Sequence, residues 1–231
     1  MIKDELISRS PVRVFEKSIT GGLQAGEIGL IASAAGIGKT SILVQIALDK
    51  LLQGKKIIHI SFTQEHDYVV AWYQDIFDQI IKAKNVENER ELKEDVNRNR
   101  MLLNFNQKGV NTDVIRKSLK AIIVDGGYKT DALIIDGFNF SIAKRERLAT
   151  LREFSKELGL SVWYSCSVKD GDYDDKKVPN VIKDFEDCID VVIDLEPKAD
   201  HVGLSVVKDH GKSVTKNEPL RLDPKTLMML E

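Results

Sequence analysis

The sequence has little cysteine, no long apolar run and almost no net charge, and each shortage excludes a class of protein. Its two cysteines, Cys166 and Cys188, are too few for a disulfide framework and lack the spacing of a zinc site. Their apolar neighbours predict buried, inert thiols. No apolar stretch approaches the ~18 residues of a membrane span, and the N-terminus lacks the apolar centre of a secretory signal. We therefore expect a cytoplasmic protein.

The formal net charge of -2 gives no overall field that would attract nucleic acid or an acidic membrane, so binding to either would need a local patch. The chain also lacks internal repeats and any linker rich in proline and glycine. Its 231 residues, 42% hydrophobic and 30% charged, suffice for one large globular domain. We expect a single domain over residues 1–231, of which residues 1–11 form an N-terminal extension.

Short apolar strands alternate with helices along most of the chain, and strand and hairpin patterns follow after residue 185. Residues 39–52 have apolar side chains at helical spacing, whereas the charge-dense residues 84–100 predict a solvated helical extension or loop. The predicted strands are EIGLIA, KIIHISF, MLLNF, DALIID, LSVWYSCSV, CIDVVIDLE, HVGLSVVKD, PLRLD and LMML. The pattern predicts an α/β fold with a mostly parallel sheet, helices on both faces and a C-terminal β-hairpin edge.

The stretch SAAGIGKTS lies between the first of these strands and a helix. Such a loop gathers unpaired backbone N–H groups and the positive end of the helix dipole, which suit phosphate oxygens. It matches the G-x-x-x-x-G-K-[ST] pattern except at its first position, where a serine stands and predicts loop strain or weaker nucleotide binding. The residues expected to contact the nucleotide are Ser33, Ala34, Ala35, Gly36, Ile37, Gly38, Lys39, Thr40 and Ser41.

Two acids are candidates for the chemistry that accompanies such a phosphate loop. Asp136 ends the strand ALIID, where its carboxylate and the Thr40 hydroxyl could hold Mg²⁺ beside the phosphates. Glu65 follows the second strand and is the candidate for orienting the attacking water. Each has a simpler interpretation: Asp136 as a residue that ends a strand, and Glu65 as an acid stabilised by a helix N-terminus.

Residues 19–48, ITGGLQAGEIGLIASAAGIGKTSILVQIAL, resemble the opening of the RecA-like P-loop ATPases, and are most similar to the KaiC, DnaB and RadA branches. SFTQEHD resembles the strand-then-glutamate element of that family, and DALIIDGF its second acidic strand. DVVIDLE and HVGLSVVKDHGK resemble its C-terminal hairpin. The likeness runs from about residue 12 to residue 231. It implies a stand-alone RecA-like ATPase core that binds ATP and Mg²⁺ and acts as a homo-oligomer.

The resemblance also implies that a neighbouring subunit supplies a cation to the γ-phosphate from this hairpin, and Lys208 is the candidate. Many relatives carry an arginine where His210 stands, and arginine is always charged whereas histidine is mostly neutral at pH 7. We therefore expect slow hydrolysis. The acidic loop at residues 169–180 disfavours binding to the phosphate backbone of a nucleic acid. The basic residues 143–147 leave contact with DNA as an open alternative.

Three functions therefore remain open. The protein is an oligomeric ATPase, a nucleotide-sensing regulatory module that binds a protein partner and hydrolyses little, or an ATPase of the recombinase or helicase type that depends on single-stranded DNA. Turnover stimulated by single-stranded DNA or by oligomerisation would distinguish the enzymes from the regulatory module.

Overall fold

The computed structural model describes residues 7, 8, 10–62, 66–84, 88–106, 112–169 and 171–230. The helices are α1 (Pro11–Ser18), α2 (Lys39–Leu52), α3 (His66–Lys84), α4 (Glu89–Asn99), α5 (Thr112–Lys120) and α6 (Arg145–Glu157). The strands are β1 (Ile28–Ser33), β2 (Ile57–Ser61), β3 (Arg100–Asn104), β4 (Ala132–Asp136), β5 (Ser161–Ser167), β6 (Val191–Pro197), β7 (Val202–Asp209), β8 (Lys212–Leu222) and β9 (Met229–Leu230). A π-helical turn (Ala121–Asp125) and two 3₁₀ segments (Phe140–Ile142 and Asn180–Cys188) complete the described elements.

All nine strands form one sheet, in the order β3-β2-β4-β5-β1-β6-β7-β8-β9. The strands from β3 to β6 run parallel, and β6 to β9 run antiparallel. From β1 the chain continues to β2, which lies towards the β3 end of the strand order. From the neighbouring β6 it continues to β7, which lies towards the β9 end. In open α/β sheets, ligands bind where adjacent strands diverge in this way, outside their carboxyl ends.

Apolar side chains cover both faces of the sheet, as the α/β pattern predicted. On one face α1 to α4 pack over residues such as Ile31, Ile134 and Trp163, and on the other α5, α6 and the longer 3₁₀ segment pack over Leu30 and Leu133. Because both faces are covered, β1, β2 and β4 are buried at every position. Among the described residues, no helix is both long and apolar enough to cross a membrane.

Three local features differ from the expectation. α1 was not predicted, although Ser10 accepts a hydrogen bond from the Val12 amide as its N-cap and a proline follows at the first helical position. The charged stretch includes α4, whose Leu92 and Val96 are buried in the core rather than solvated. The sequence of residues 113–125, DVIRKSLKAIIVD, predicts one helix, but a π-helical turn follows Lys120. The predicted helix at residues 39–52 and the burial of both cysteines are confirmed.

Candidate functional site

The loop between β1 and α2 has the backbone that an anion site requires. Gly36 and Gly38 have φ angles of 80° and 115°, in the left-handed region that side chains disfavour. Gly38 is the N-cap of α2, which is 14 residues long and has no acidic residue in its first turn. No carboxylate of that turn therefore accepts hydrogen bonds from the free backbone amides or offsets the positive end of the helix dipole.

Ser33, at the first position of the loop pattern, adopts ordinary strand geometry. It is the last residue of β1, is fully buried and pairs with Ser167 of β5. Its φ is not positive, so the expectation that a side chain here strains the loop is wrong: the turn into the left-handed region begins only at Gly36. The Ser33 hydroxyl donates to the Ala34 carbonyl at 2.8 Å. Weaker nucleotide binding through Ser33 stays a prediction.

The side chain of Lys39 is buried beneath the loop. Its ammonium donates to the Ala34 carbonyl at 2.6 Å, and to the carbonyl and hydroxyl oxygens of Ser33 at 3.1 Å each. These three oxygens match the three protons of an ammonium. Burial lowers the pKa of Lys39, although the Cys166 sulfur and the Asp136 carboxylate oppose the shift. No carboxylate in the described part of the chain forms an ion pair with this ammonium.

Asp136 lies at the carboxyl end of β4, and its carboxylate joins three elements. One oxygen accepts a hydrogen bond from Thr40 of α2 at 2.8 Å, and the other accepts one from Ser165 of β5 at 2.5 Å. The Ser165 hydroxyl also accepts from the Gly137 amide at 2.7 Å. β5 lies between β1 and β4 in the sheet, so Ser165 lies between the β1–α2 loop and Asp136.

Sequence reasoning missed Ser165. Its signal was the first small polar residue after the bulky residues of the run VWYSCSV. Burial raises the pKa of the neighbouring Cys166 thiol to about 12, which favours the protonated, weakly nucleophilic form.

Thr40 and Asp136 are suited to Mg²⁺ in the chemistry of their donor atoms. Both offer hard oxygens, and the two oxygens lie 2.8 Å apart. The described residues contain no group of three or more His, Cys, Asp or Glu side chains able to hold a metal. A pair of this kind fits Mg²⁺ that takes its remaining ligands from water and phosphate, since Mg²⁺ commonly binds proteins through one or two carboxylates.

Glu65 lies outside the described residues, so its role stays a prediction. The described residues that precede it lie beside Asp136, the candidate metal ligand. Ser61 of β2 pairs with Asp136, and the Phe62 amide donates to the Asp136 carbonyl at 2.9 Å.

The C-terminal segment also contacts the loop, which the sequence did not indicate. The Leu227 carbonyl accepts from the Ser41 hydroxyl at 2.7 Å and from the Gln45 amide at 2.9 Å. An added Cβ at Gly38 would lie 3.0 Å from a Leu222 methyl. Ala35 and Gly36 stay exposed at the crest of the loop, so the segment packs beside the loop and leaves its crest open.

We call the sheet edge formed by Ser33–Ser41, Asp136 and Ser165 the carboxyl edge, and the opposite edge, where β1 and β6 begin, the amino edge. Lys208 lies at the amino edge of its own chain, since it pairs with Val192 near the start of β6. Its ammonium is buried, donates to the Glu186 carbonyl at 2.7 Å and lies 3.6 Å from the carboxylate of that residue. Its role in a neighbouring subunit stays a prediction.

Hydrogen bonds also satisfy His210 at the amino edge. One ring nitrogen lies 2.8 Å from a Glu27 carboxylate oxygen and the other 3.0 Å from the Ile19 carbonyl. Both neighbours are acceptors, so the protonated ring fits them best. Burial disfavours the charged ring and by itself lowers the pKa of His210. The hydrogen bond to Glu27 and the charge of Asp209 together have the larger effect, so the pKa is raised.

In both segments considered for DNA contact, charged side chains form ion pairs or hydrogen bonds within the chain. In the basic stretch, Arg145 pairs with Asp187, and Arg147 pairs with Asp113 at 3.1 Å. In the acidic loop, Asp174 accepts hydrogen bonds from the amides of residues 176 and 178. Asp170 lies outside the described residues.

In comparisons with protein-family models and with curated proteins, the chain matches none. The function is therefore inferred from the residues of the site.

Proposed function

We propose that the protein is an ATP-binding ATPase with a RecA-like core, dependent on Mg²⁺, slow in hydrolysis and active as an oligomer. The observation that carries the proposal is the meeting of three features at the carboxyl edge. The three features lie at the ends of β1 and β4. They are a helix N-terminus without acids in its first turn, the charge of Lys39, which has no ion-pair partner among the described residues, and the Thr40–Asp136 hydrogen bond.

In this proposal the loop amides and the N-terminus of α2 bind the phosphates, because they present donors and positive potential where β1 ends. Lys39 leaves the oxygens of Ser33 and Ala34 and donates to the β- and γ-phosphates. Thr40 and Asp136 hold Mg²⁺, which neutralises phosphate charge when it is bound. Ser165 fixes the orientation of Asp136 by its hydrogen bond, and Glu65 orients the attacking water.

The alternative is a nucleotide-sensing regulatory module that hydrolyses little, and one observation favours it. Lys208 and His210 are both satisfied by oxygens of their own chain. A cation supplied from a neighbour contributes ~10³–10⁵ in rate in other phosphoryl-transfer enzymes. If these contacts persist in the assembly, the chain binds ATP and its turnover stays low. The paired arginines at residues 145 and 147 give no such support to a DNA-dependent ATPase.

The test is a calorimetric titration of the protein with ATP, with Mg²⁺ and with a chelator. Steady-state turnover is then measured at several protein concentrations, with and without single-stranded DNA, and solution mass is recorded with and without ATP. We expect ATP binding that Mg²⁺ strengthens, and slow turnover that rises with protein concentration. Binding without concentration-dependent turnover supports the regulatory module, and absence of ATP binding overturns both proposals.

A further inference from the structure

A second concave site lies between α3, α4 and the start of β3, on the outer part of the sheet away from the phosphate loop. The cleft has a volume of about 70 Å³, several times the roughly 10–15 Å³ that one water needs. Its polar side chains are Gln74, Lys93, Asn97 and Arg100, and apolar side chains of both helices line the rest. None of the described residues that line it is acidic, so two cations face a cleft large enough for a small molecule.

Arg100 is held in place without a carboxylate. Its guanidinium carbon lies 4.3 Å from the centre of the Tyr73 ring, and one of its nitrogens donates to the Asn97 side-chain oxygen at 3.0 Å. In the described part of the chain no acid forms an ion pair with it. The stacked, oriented fork keeps further N–H donors for a planar oxyanion. The ammonium of Lys93 is only weakly engaged, 3.9 Å from Asp78.

Tyr73 connects the floor of this cleft to the interior of the sheet. Its hydroxyl lies 3.0 Å from Nδ1 of His59, a fully buried residue of β2. Nε2 of His59 has no partner among the described residues. Burial lowers the pKa of His59 to about 4, against the opposing effect of the Asp136 carboxylate, so the imidazole is neutral and one nitrogen is left without a hydrogen bond. A change at Arg100 can therefore reach β2 through a single side chain.

We propose that this cleft binds a small oxyanion, a carboxylate or a phosphate group, through Arg100 and Lys93, and that Tyr73 transmits its presence to His59. The apolar wall accommodates a short organic part of the ligand. The proposal does not depend on ATP binding at the carboxyl edge.

The test is titration of the isotope-labelled protein with sodium phosphate and, separately, with sodium acetate, followed by NMR at constant ionic strength set with chloride. We expect saturable shifts at the backbone amides of Tyr73, Gln74, Asn97 and Arg100 with at least one of the two anions. A preference for phosphate or for acetate identifies the group that the cleft selects. Phosphate at the phosphate loop is distinguished because it shifts the amides of residues 36–40 instead.

Arg100→Met should weaken this binding at least tenfold, and Lys93→Met several-fold, whereas Arg98→Met should leave it within twofold. Arg98 is the matched control, because it lies on α4 with Lys93 and two residues before Arg100, is exposed and pairs with Asp95 outside the cleft. Lys93→Met tests the same site if Arg100→Met does not fold. No saturable shift with either anion overturns the proposal, as does binding that all three variants retain or that chloride reproduces.

The ring nitrogens of His59 give a second readout, which ordinary structural damage would not mimic. In the native protein their shifts should follow the anion titration. In Tyr73→Phe the amide shifts in the cleft should persist while the His59 response disappears. A His59 response that is unchanged in Tyr73→Phe would refute the connection through Tyr73.

Discussion

The two edges of the parallel sheet each contain a buried lysine, and the two lysines have different kinds of partner. Within the described residues, Lys39 at the carboxyl edge donates only to carbonyl and hydroxyl oxygens of its own loop. Lys208 at the amino edge lies near the carboxylate of Glu186 and donates to the carbonyl of that residue. Burial of a charge is costly unless it is paired. The difference supports the proposal that the carboxyl edge keeps charge for a ligand, whereas the charge at the amino edge stabilises the fold.

Other residues at the amino edge repeat this pattern. Asp190 accepts from the Ile28 amide at 2.9 Å and pairs with Arg152. Thr20 donates to Asp209 at 2.6 Å. These contacts join the start of β1 to the C-terminal strands, so we expect substitutions here to alter stability and substitutions at the carboxyl edge to alter nucleotide binding.

The largest effect is expected from Glu65→Gln, which should lower ATP turnover by ~10²–10⁴-fold while ATP affinity stays within about threefold. The reason is that a group which orients or deprotonates water acts mainly on the transition state. The matched control is Asp67→Asn, which removes an exposed acid from the first turn of α3. Native turnover in Glu65→Gln, measured by phosphate release, would assign Glu65 to the helix start alone.

Asp136→Asn should weaken Mg²⁺-dependent ATP binding by about 1.5–3 kcal/mol, or roughly ten- to over a hundredfold. It removes the charge that Thr40 and Ser165 now contact, and with it the proposed Mg²⁺ ligand. Asp131→Asn is the control, since Asp131 accepts from the Lys56 amide at the other end of the same strand. Calorimetry with and without Mg²⁺ checks the prediction, which fails if both variants bind alike.

Lys208→Met should lower the free energy of unfolding by about 1–3 kcal/mol, because the Glu186 carbonyl loses its charged donor. Urea denaturation measures this loss. If Lys208 also acts on a neighbouring subunit, the variant should lose the dependence of specific turnover on protein concentration. An unchanged midpoint and unchanged turnover would show that this lysine contributes to neither property.

His210 should make a small, pH-dependent contribution to stability, of less than about 1 kcal/mol because it is partly exposed. Its pKa in the folded protein is raised, chiefly by Glu27 and against the effect of burial. A raised pKa means that the stabilisation is complete below the ordinary histidine value of about 6.5 and is lost as the pH rises through the folded value. Denaturation of His210→Gln and the native protein at pH 5.5 and 8.5 should show a difference only at the lower pH. An equal difference at both would contradict this account.

Much of the fold could be predicted from local pattern. Strands buried on both faces appear as continuous apolar runs, and α2 has apolar residues at helical spacing bounded by glycines, so its limits at residues 39–52 agree with the structure. α1 was missed because it has only eight residues, and its stability comes from burying Val12 and Phe15 against distant strands. The charged stretch that contains α4 predicts a solvated segment, because its two buried apolar side chains stand among many charged ones.

The candidate site could be predicted only in part, for a related reason. The loop and Asp136 each follow a strand in the sequence, so their chemistry can be read from neighbouring residues. Ser165 and Leu227 reach the site by strand order and by packing of the C-terminal turn, which no short pattern encodes. The partners of Lys208 were not predictable either, because Glu186 lies in a 3₁₀ segment without a clear sequence signal.

The ATP affinities of Lys39→Met and Lys208→Met, measured side by side by calorimetry in Mg²⁺, test whether the nucleotide binds at the carboxyl edge. Both variants remove one buried ammonium and keep an apolar stem, so they differ only in the edge of the sheet that loses the charge. Lys39→Met should bind ATP roughly ten- to over a hundredfold more weakly, from the loss of a charge-assisted contact worth about 1.5–3 kcal/mol. Lys208→Met should bind ATP within about twofold of the native protein. Equal affinities in the two variants, or a larger loss in Lys208→Met, would contradict the assignment of the carboxyl edge as the nucleotide site.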